Sequence, residues 1–158
     1  MRIVDADILS YALLESHIAT PYAKPIILKG IRGELELNVT GTTILESYNT
    51  LYWYYRVRPR KKILEKLEVI VEGLNIVNVP VDLGVRIAKE ENVPLGDDLL
   101  MAAAIEERIP IIVSNDKHVE RLAVKFGFIY ENLIPESVRK AMGGARVSQH
   151  PILSQREG

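Results

Sequence analysis

GDDLLMAAAIEERIPIIVSND, residues 96–116, reads as a buried helix opened by two aspartates, a turn, and a short apolar strand closed by a third. Leu99, Leu100, Met101, Ala102, Ala103, Ala104 and Ile105 leave almost no polar face for two turns. The small alanines let such a helix lie close against a sheet. Pro110 ends the turn after Arg108, and Ile111, Ile112 and Val113 form a β-branched run too short for a helix. That run suits a parallel strand covered on both faces. Asp116 falls just past the strand end. Acids at a helix start and just past a strand end occupy the edge at which α/β sheets bind ligands.

Upstream the same grammar repeats. Arg2, Ile3 and Val4 predict a strand that meets Asp5, with Asp7 two residues on, before a helix through Ile8, Leu9, Ala12 and Leu13. Capping that helix is the ordinary role for Asp5 or Asp7. Between 21 and 35, Ile26, Ile27, Leu28 and Ile31 recur at helical spacing among Lys24, Lys29 and Arg32, an amphipathic surface helix. Leu35 to Val39 alternates as a half-buried strand does. Ile44, Leu45, Tyr48, Leu51, Tyr52 and Tyr55 then carry helical periodicity, and Thr43 with Glu46 fits a capping box. Tyr48, Tyr52, Trp53, Tyr54 and Tyr55 make this helix the most aromatic part of the chain, suited to packing and to a homodimer or partner interface.

Arg56, Arg58, Arg60, Lys61 and Lys62 cluster around Pro59, where a solvated linker is the usual meaning and a phosphate-contacting patch the alternative. Asn75 to Val79 predicts a third strand stopped by Pro80, and Val81 to Asn92 an amphipathic helix. After the opening stretch come a helix capped by Asp116 and closed by Gly127, a short fifth strand from Phe128 to Tyr130, and a last helix from Pro135 to Met142. Strands alternating with helices predict a single α/β domain over residues 1–142, a central parallel sheet of four or five short strands with helices on both faces. Residues 143–158 show no periodic face and read as a flexible tail.

At 158 residues the chain has the size of one domain, enough to bury roughly 70% of its unfolded surface. No run reaches the roughly 18 apolar residues of a membrane span, and MRIVDADILS lacks the basic-then-apolar order of a signal peptide, so the expected location is the cytoplasm. The absence of cysteine excludes disulfides, thiolate catalysis and Cys-ligated zinc. A net charge of −1 leaves no global basic field, so a nucleic-acid partner must be held by a local patch or through bound cations.

Asp5, Glu46, Asp98 and Asp116 share one topological address, at a strand end or in the first turn of the helix that follows. If the strands are parallel, those ends share one edge of the sheet. Capping accounts for each acid singly. A cluster of them needs a neutralising cation, because like charges raise one another's pKa, and hard oxygen ligands suit Mg2+ or Mn2+. Of the adjacent pair, Asp97 reads as the helix cap and Asp98 as the ligand. Ser114 and Asn115 either orient carboxylates or substrate, or form a plain turn. His17, His118 and His150 show no metal-ligand spacing and read as surface residues.

Over about residues 1–142 the chain resembles the PIN-domain ribonucleases, and within them the VapC-type toxins of toxin–antitoxin pairs. The resemblance lies in IVDADILSYAL, in Glu46 on a helix after a threonine-containing loop, and in DLLMAAAIEERIPIIVSND, whose spacing favours Asp98 over Asp97. It implies that Asp5, Glu46, Asp98 and Asp116 bind Mg2+ or Mn2+ and cut single-stranded RNA, leaving a 5′-phosphate. It further implies a small antitoxin as partner; Arg56 to Lys62, Lys117 and Arg121 are candidates to hold the RNA backbone. Ala6 and Asp7 depart from the family's Thr and Asn, and Val119 from a common Phe; Asp7 adds charge to the site. Two rivals stand beside this reading. Asp5-Ala6-Asp7 and Gly96-Asp97-Asp98 are similar to motifs of haloacid-dehalogenase-type phosphatases, although Leu9 stands where that family has Thr or Val. The other is a PIN-like module that binds RNA or protein without cutting.

Overall fold

In a computed structural model, which describes residues 1–143, the central strand β1 is Arg2–Val4 and the flanking strands are β2, Leu37–Thr40, and β4, Ile111–Val113. β3, Asn75–Val77, and β5, Ile129–Glu131, form the edges, giving the order β3-β2-β1-β4-β5 with every pairing parallel. The sheet therefore has five strands, the upper of the two expected numbers. The predicted tail, apart from Gly143, lies outside the described residues.

Both faces are covered because each inner strand sends alternate apolar residues to opposite sides. Val4 and Val113 point to a core built with α1 (Ala6–Leu13), α2 (Thr20–Ile31), α4 (Arg60–Gly73) and α8 (Glu136–Met142). Ile3 and Ile112 point to the other, built with α5 (Val81–Glu91), α6 (Leu95–Glu107) and α7 (Lys117–Phe126). Met101, Ala102, Ala103 and Ala104 of α6 are fully buried, as the opening stretch predicts. α5 approaches α6 so closely that a Cβ on Gly84 would lie 2.5 Å from Leu99 Cδ2. Among the described residues, no helix is long and apolar enough to cross a membrane.

Three local expectations are corrected. The helix carrying Glu46, α3, spans Gly41–Asn49 and is capped by Thr40, whose Oγ1 accepts from the Thr43 N–H at 3.0 Å. Glu46 therefore stands past the first turn, and a capping box does not explain it. The periodicity predicted through Tyr55 breaks into a π-helical segment, Thr50–Tyr54, in which Leu51 is the buried residue and Trp53 stays exposed. His17, expected at the surface, is half-buried, stacked on Tyr11 at 4.7 Å and edge-on to Tyr55 at 5.6 Å. The basic cluster folds back on the aromatic segment: the Arg58 guanidinium lies 3.7 Å from the Tyr52 ring centre and donates to the Tyr52 and Val57 carbonyls.

Candidate metal and active site

The parallel register sets the site. Val4 pairs with Val113, so the positions just beyond them, Asp5 and Ser114, leave the sheet side by side. The Asp5 N–H donates to the Val113 carbonyl at 2.9 Å, which extends the ladder one step. Ser114 Oγ donates to Asp5 Oδ2 at 2.7 Å and accepts from the Asp116 N–H at 3.0 Å. The Asn115 N–H donates to Asp7 Oδ2 at 2.9 Å. Three of these hydrogen bonds stitch the β1–α1 junction to the β4–α7 junction, and the fourth, within the latter, ties Asp116 to Ser114, so that Asp5, Asp7 and Asp116 are fixed relative to one another. Asp5 and Asp116 also serve as caps, accepting from the Ala6 and His118 N–H groups at 2.7 Å.

Glu46 reaches the same edge from α3. Ser10 and Ser47, both buried, donate to the Ala6 carbonyl at 2.7 and 3.1 Å, locking α3 against α1 one residue away from Glu46. α6 closes the site from the other side. A Cβ on Gly96 would lie 2.5 Å from Glu46 Oε2, so the glycine is what allows the glutamate to lie over the helix start.

Asp97, not Asp98, is the residue that α6 contributes. Asp5, Asp97 and Asp116 each offer a carboxylate oxygen, and these oxygens all lie within 4.8 Å of one another. Asp98, the ligand expected from the sequence, does not belong to that group, for a geometric reason. Successive residues of a helix point about 100° apart, so only one of the pair faces the sheet edge. The other is turned away from it. Asp98 is 0% exposed with neither carboxylate oxygen hydrogen-bonded among the described residues, and its pKa is pushed up to about 6 by burial and by the charge of Glu91 on α5. Nor does Asp97 cap the helix: α6 starts after Pro94, with no side-chain cap. The phase of α6 could not be read in advance because a helix apolar all round has no polar stripe to orient it.

The electrostatics are those of uncompensated negative charge. Burial raises Asp5 to about 6, with Asp116 adding to the shift, although the hydrogen bonds from Ser114 and Ala6 hold it down. Burial raises Glu46 to about 8 and Asp97 to about 10, each further lifted by Asp5 and Asp116. Asp7 is raised well above its ordinary value by burial, Asp5 and Asp116, so in the metal-free site the crowding drives it toward its neutral form. Asp97 Oδ2 is buried with no hydrogen-bond partner among the described residues. An orphaned, inward oxygen amid carboxylates fits a hard divalent cation: a dication restores the charge and takes oxygen ligands, with no nitrogen or sulfur among Asp5, Asp97 and Asp116.

No family model matches the chain, and no curated protein is similar to it in sequence. Solved structures do share its fold. VapC20 of Mycobacterium tuberculosis, a sarcin-ricin loop cleaving toxin, superposes with a TM-score of 0.63 at 11% identity, over 82% of this chain and 97% of that one. PAE2754 from Pyrobaculum aerophilum gives 0.58 at 21% identity, over 82% and 89%. VapBC2 from Rickettsia felis, solved bound to a DNA fragment from their promoter, gives 0.59 at 14% identity, over 83% and 97%. The fold is PIN-like.

Proposed function

We propose that this PIN-fold chain is a Mg2+- or Mn2+-dependent endoribonuclease that hydrolyses phosphodiester bonds of single-stranded RNA, acting in the cytoplasm as the toxin of a VapBC-type pair. The observation that carries the reading is the convergence of Asp5, Asp97 and Asp116 within 4.8 Å, with a buried orphan oxygen on Asp97. Its setting on a fold shared with VapC20 supports it.

In this reading Asp5, Asp97 and Asp116 hold the ion and Glu46 flanks it. When bound, the ion supplies an acidified water and neutralises charge at the phosphodiester. Asp5 is aimed by Ser114, and Asp116 by its backbone bond to the same hydroxyl. Glu46, held protonated up to about pH 8 in the metal-free site, is placed to accept the proton of an attacking water once a cation lowers its pKa. Asp7 holds the Asn115 backbone and thereby the loop that presents Asp116. A small antitoxin that covers the site and a second copy of the chain are the partners the reading implies.

The test is cleavage of single-stranded RNA with and without Mg2+ or Mn2+, using wild type and Asp97→Asn, beside a phosphatase assay on an aryl phosphate. Metal-dependent cleavage by wild type alone is expected. Equal cleavage by both proteins overturns the assignment; aryl phosphate turnover without RNA cleavage favours the phosphatase chemistry; Mn2+ binding without either leaves a non-catalytic module.

A further inference from the structure

Beside the acids lies a cavity of about 270 Å³, walled by Asn115 and Lys117 from the β4–α7 junction, Tyr130 and Asn132 from β5 and its exit, and Arg139 and Lys140 from α8. We infer that this cavity seats one unpaired nucleotide of the RNA strand next to the bond to be cut, an inference that rests on the nuclease reading of the acids. Continuity is the first argument. Asn115 precedes Asp116 and donates its N–H to Asp7, and the Tyr130 side chain meets Ser114, which holds Asp5. A residue of substrate in the cavity is therefore one step from the ion-holding carboxylates.

The lining chemistry is the second argument. Asn132 Nδ2 donates to Asn115 Oδ1 at 2.8 Å, and Asn132 Oδ1 accepts from the Ile134 N–H at 3.0 Å, so the two amides are fixed in place. Fixed amides read the polar edge of a base, and the half-buried Tyr130 ring offers a flat face. Arg139 spends Nε on the Ile134 carbonyl at 3.0 Å, which leaves the rest of its guanidinium fork for a phosphate. Among the described residues Lys140 pairs with Glu136, an exposed pair at 3.5 Å of the kind that contributes little, and Lys117 is exposed at the mouth. Glu120 and Glu136 reduce this positive charge without cancelling it. Cations are needed at this point because the neighbouring acids repel a polyanion. Size is the third argument: a concave pocket this small takes a base splayed out of a strand, and a base held in a duplex cannot enter it.

The test uses the full chain in Ca2+ buffer and a fluorescently labelled single-stranded RNA, with Lys117→Ala/Lys140→Ala as the variant, since both lysines are exposed and hold nothing in the core. Anisotropy should show binding weakened about tenfold, and the slope of log affinity against log salt should fall by roughly 0.7 per lysine removed. The same strand annealed to its complement should bind wild type no better than single strands bind the variant. Mn2+ titrated calorimetrically should bind both proteins equally. Wild-type RNA affinity and salt slope in the variant, or equal affinity for the duplex, overturn the inference even if RNA is cut. This binding pattern without cleavage keeps the cavity and removes the nuclease reading.

Discussion

Asp5, just past the central strand, and Asp97, on the helix opposite, bring carboxylate oxygens within 4.8 Å of each other, while Asp98 is fully buried with neither oxygen hydrogen-bonded among the described residues. The adjacent pair thus divides into one residue that the proposed reading gives to a cation and one whose burial favours a proton. Asp97→Asn is expected to lower Mn2+ affinity at least tenfold and abolish cleavage, as calorimetry and an RNA assay will show. Asp98→Asn should leave Mn2+ affinity near wild type. It should also raise stability at pH 7 by on the order of 1 kcal/mol, because it removes a charge whose folded pKa, about 6, lies above the ordinary 3.8. That gain should vanish at pH 4, where wild-type Asp98 is protonated, and denaturant melts at the two pH values will check it.

The metal-free site should make the protein less stable as pH rises. Asp5, Glu46 and Asp97 have folded pKa values of about 6, 8 and 10, all above their ordinary values of 3.8 to 4.5. Between about pH 4 and pH 10 the native state therefore binds more protons than the unfolded chain, and stability falls as they leave. In EDTA, Tm should drop by about 5 °C or more between pH 5 and pH 9. Mn2+ should largely abolish the drop, since the ion replaces the protons. A flat profile in EDTA would contradict the charge crowding described above.

Gly96→Ala tests how Glu46 is seated. In an ordinary helix the change contributes about 0.5 to 1 kcal/mol of stability, but here the new methyl lies 2.5 Å from Glu46 Oε2. The helix should persist by circular dichroism while Mn2+ affinity falls about tenfold and cleavage with it. Retained affinity would show that Glu46 stands outside the ion's reach.

Ser114→Ala removes the 2.7 Å bond that holds the Asp5 carboxylate down in pKa. The Asp5 pKa should rise further, so the pH midpoint of Mn2+ binding shifts upward and affinity at pH 7 drops about tenfold. Because Ser114 Oγ also accepts from the Asp116 N–H at 3.0 Å, a stability loss of about 1 kcal/mol should accompany it, visible in a urea melt. Threonine at 114, which restores the hydroxyl, should recover the pH midpoint.

Much of the fold was legible because strand and helix signals agreed locally. Ile111–Val113 between Pro110 and Asp116 can only be a short buried strand, and Gly127 at φ +79 closes α7 where the apolar pattern ends. Asp5 and Asp116 stood out for the same reason, since each lies just past a β-branched run. The choice between Asp97 and Asp98 was not, because it depends on the rotation of a helix buried on every side. Glu46 was ambiguous because Thr43 mimics a cap that the structure gives to Thr40. The π-helical segment left no trace in the aromatic spacing, since an extra residue in one turn changes direction without changing composition. The cavity was hidden for a different reason: its walls come from three segments with no shared pattern.

β1 and β4 stand inside the sheet, whereas β3 and β5 are three-residue strands on its margins, with Ile76 and Ile129 half open to water. Amide exchange should be slowest in the inner pair and fastest at the margins. Because β5 and α8 wall the cavity at the sheet's margin, substitutions on their cavity side reach what the protein grips while leaving in place the acids that follow β1 and β4.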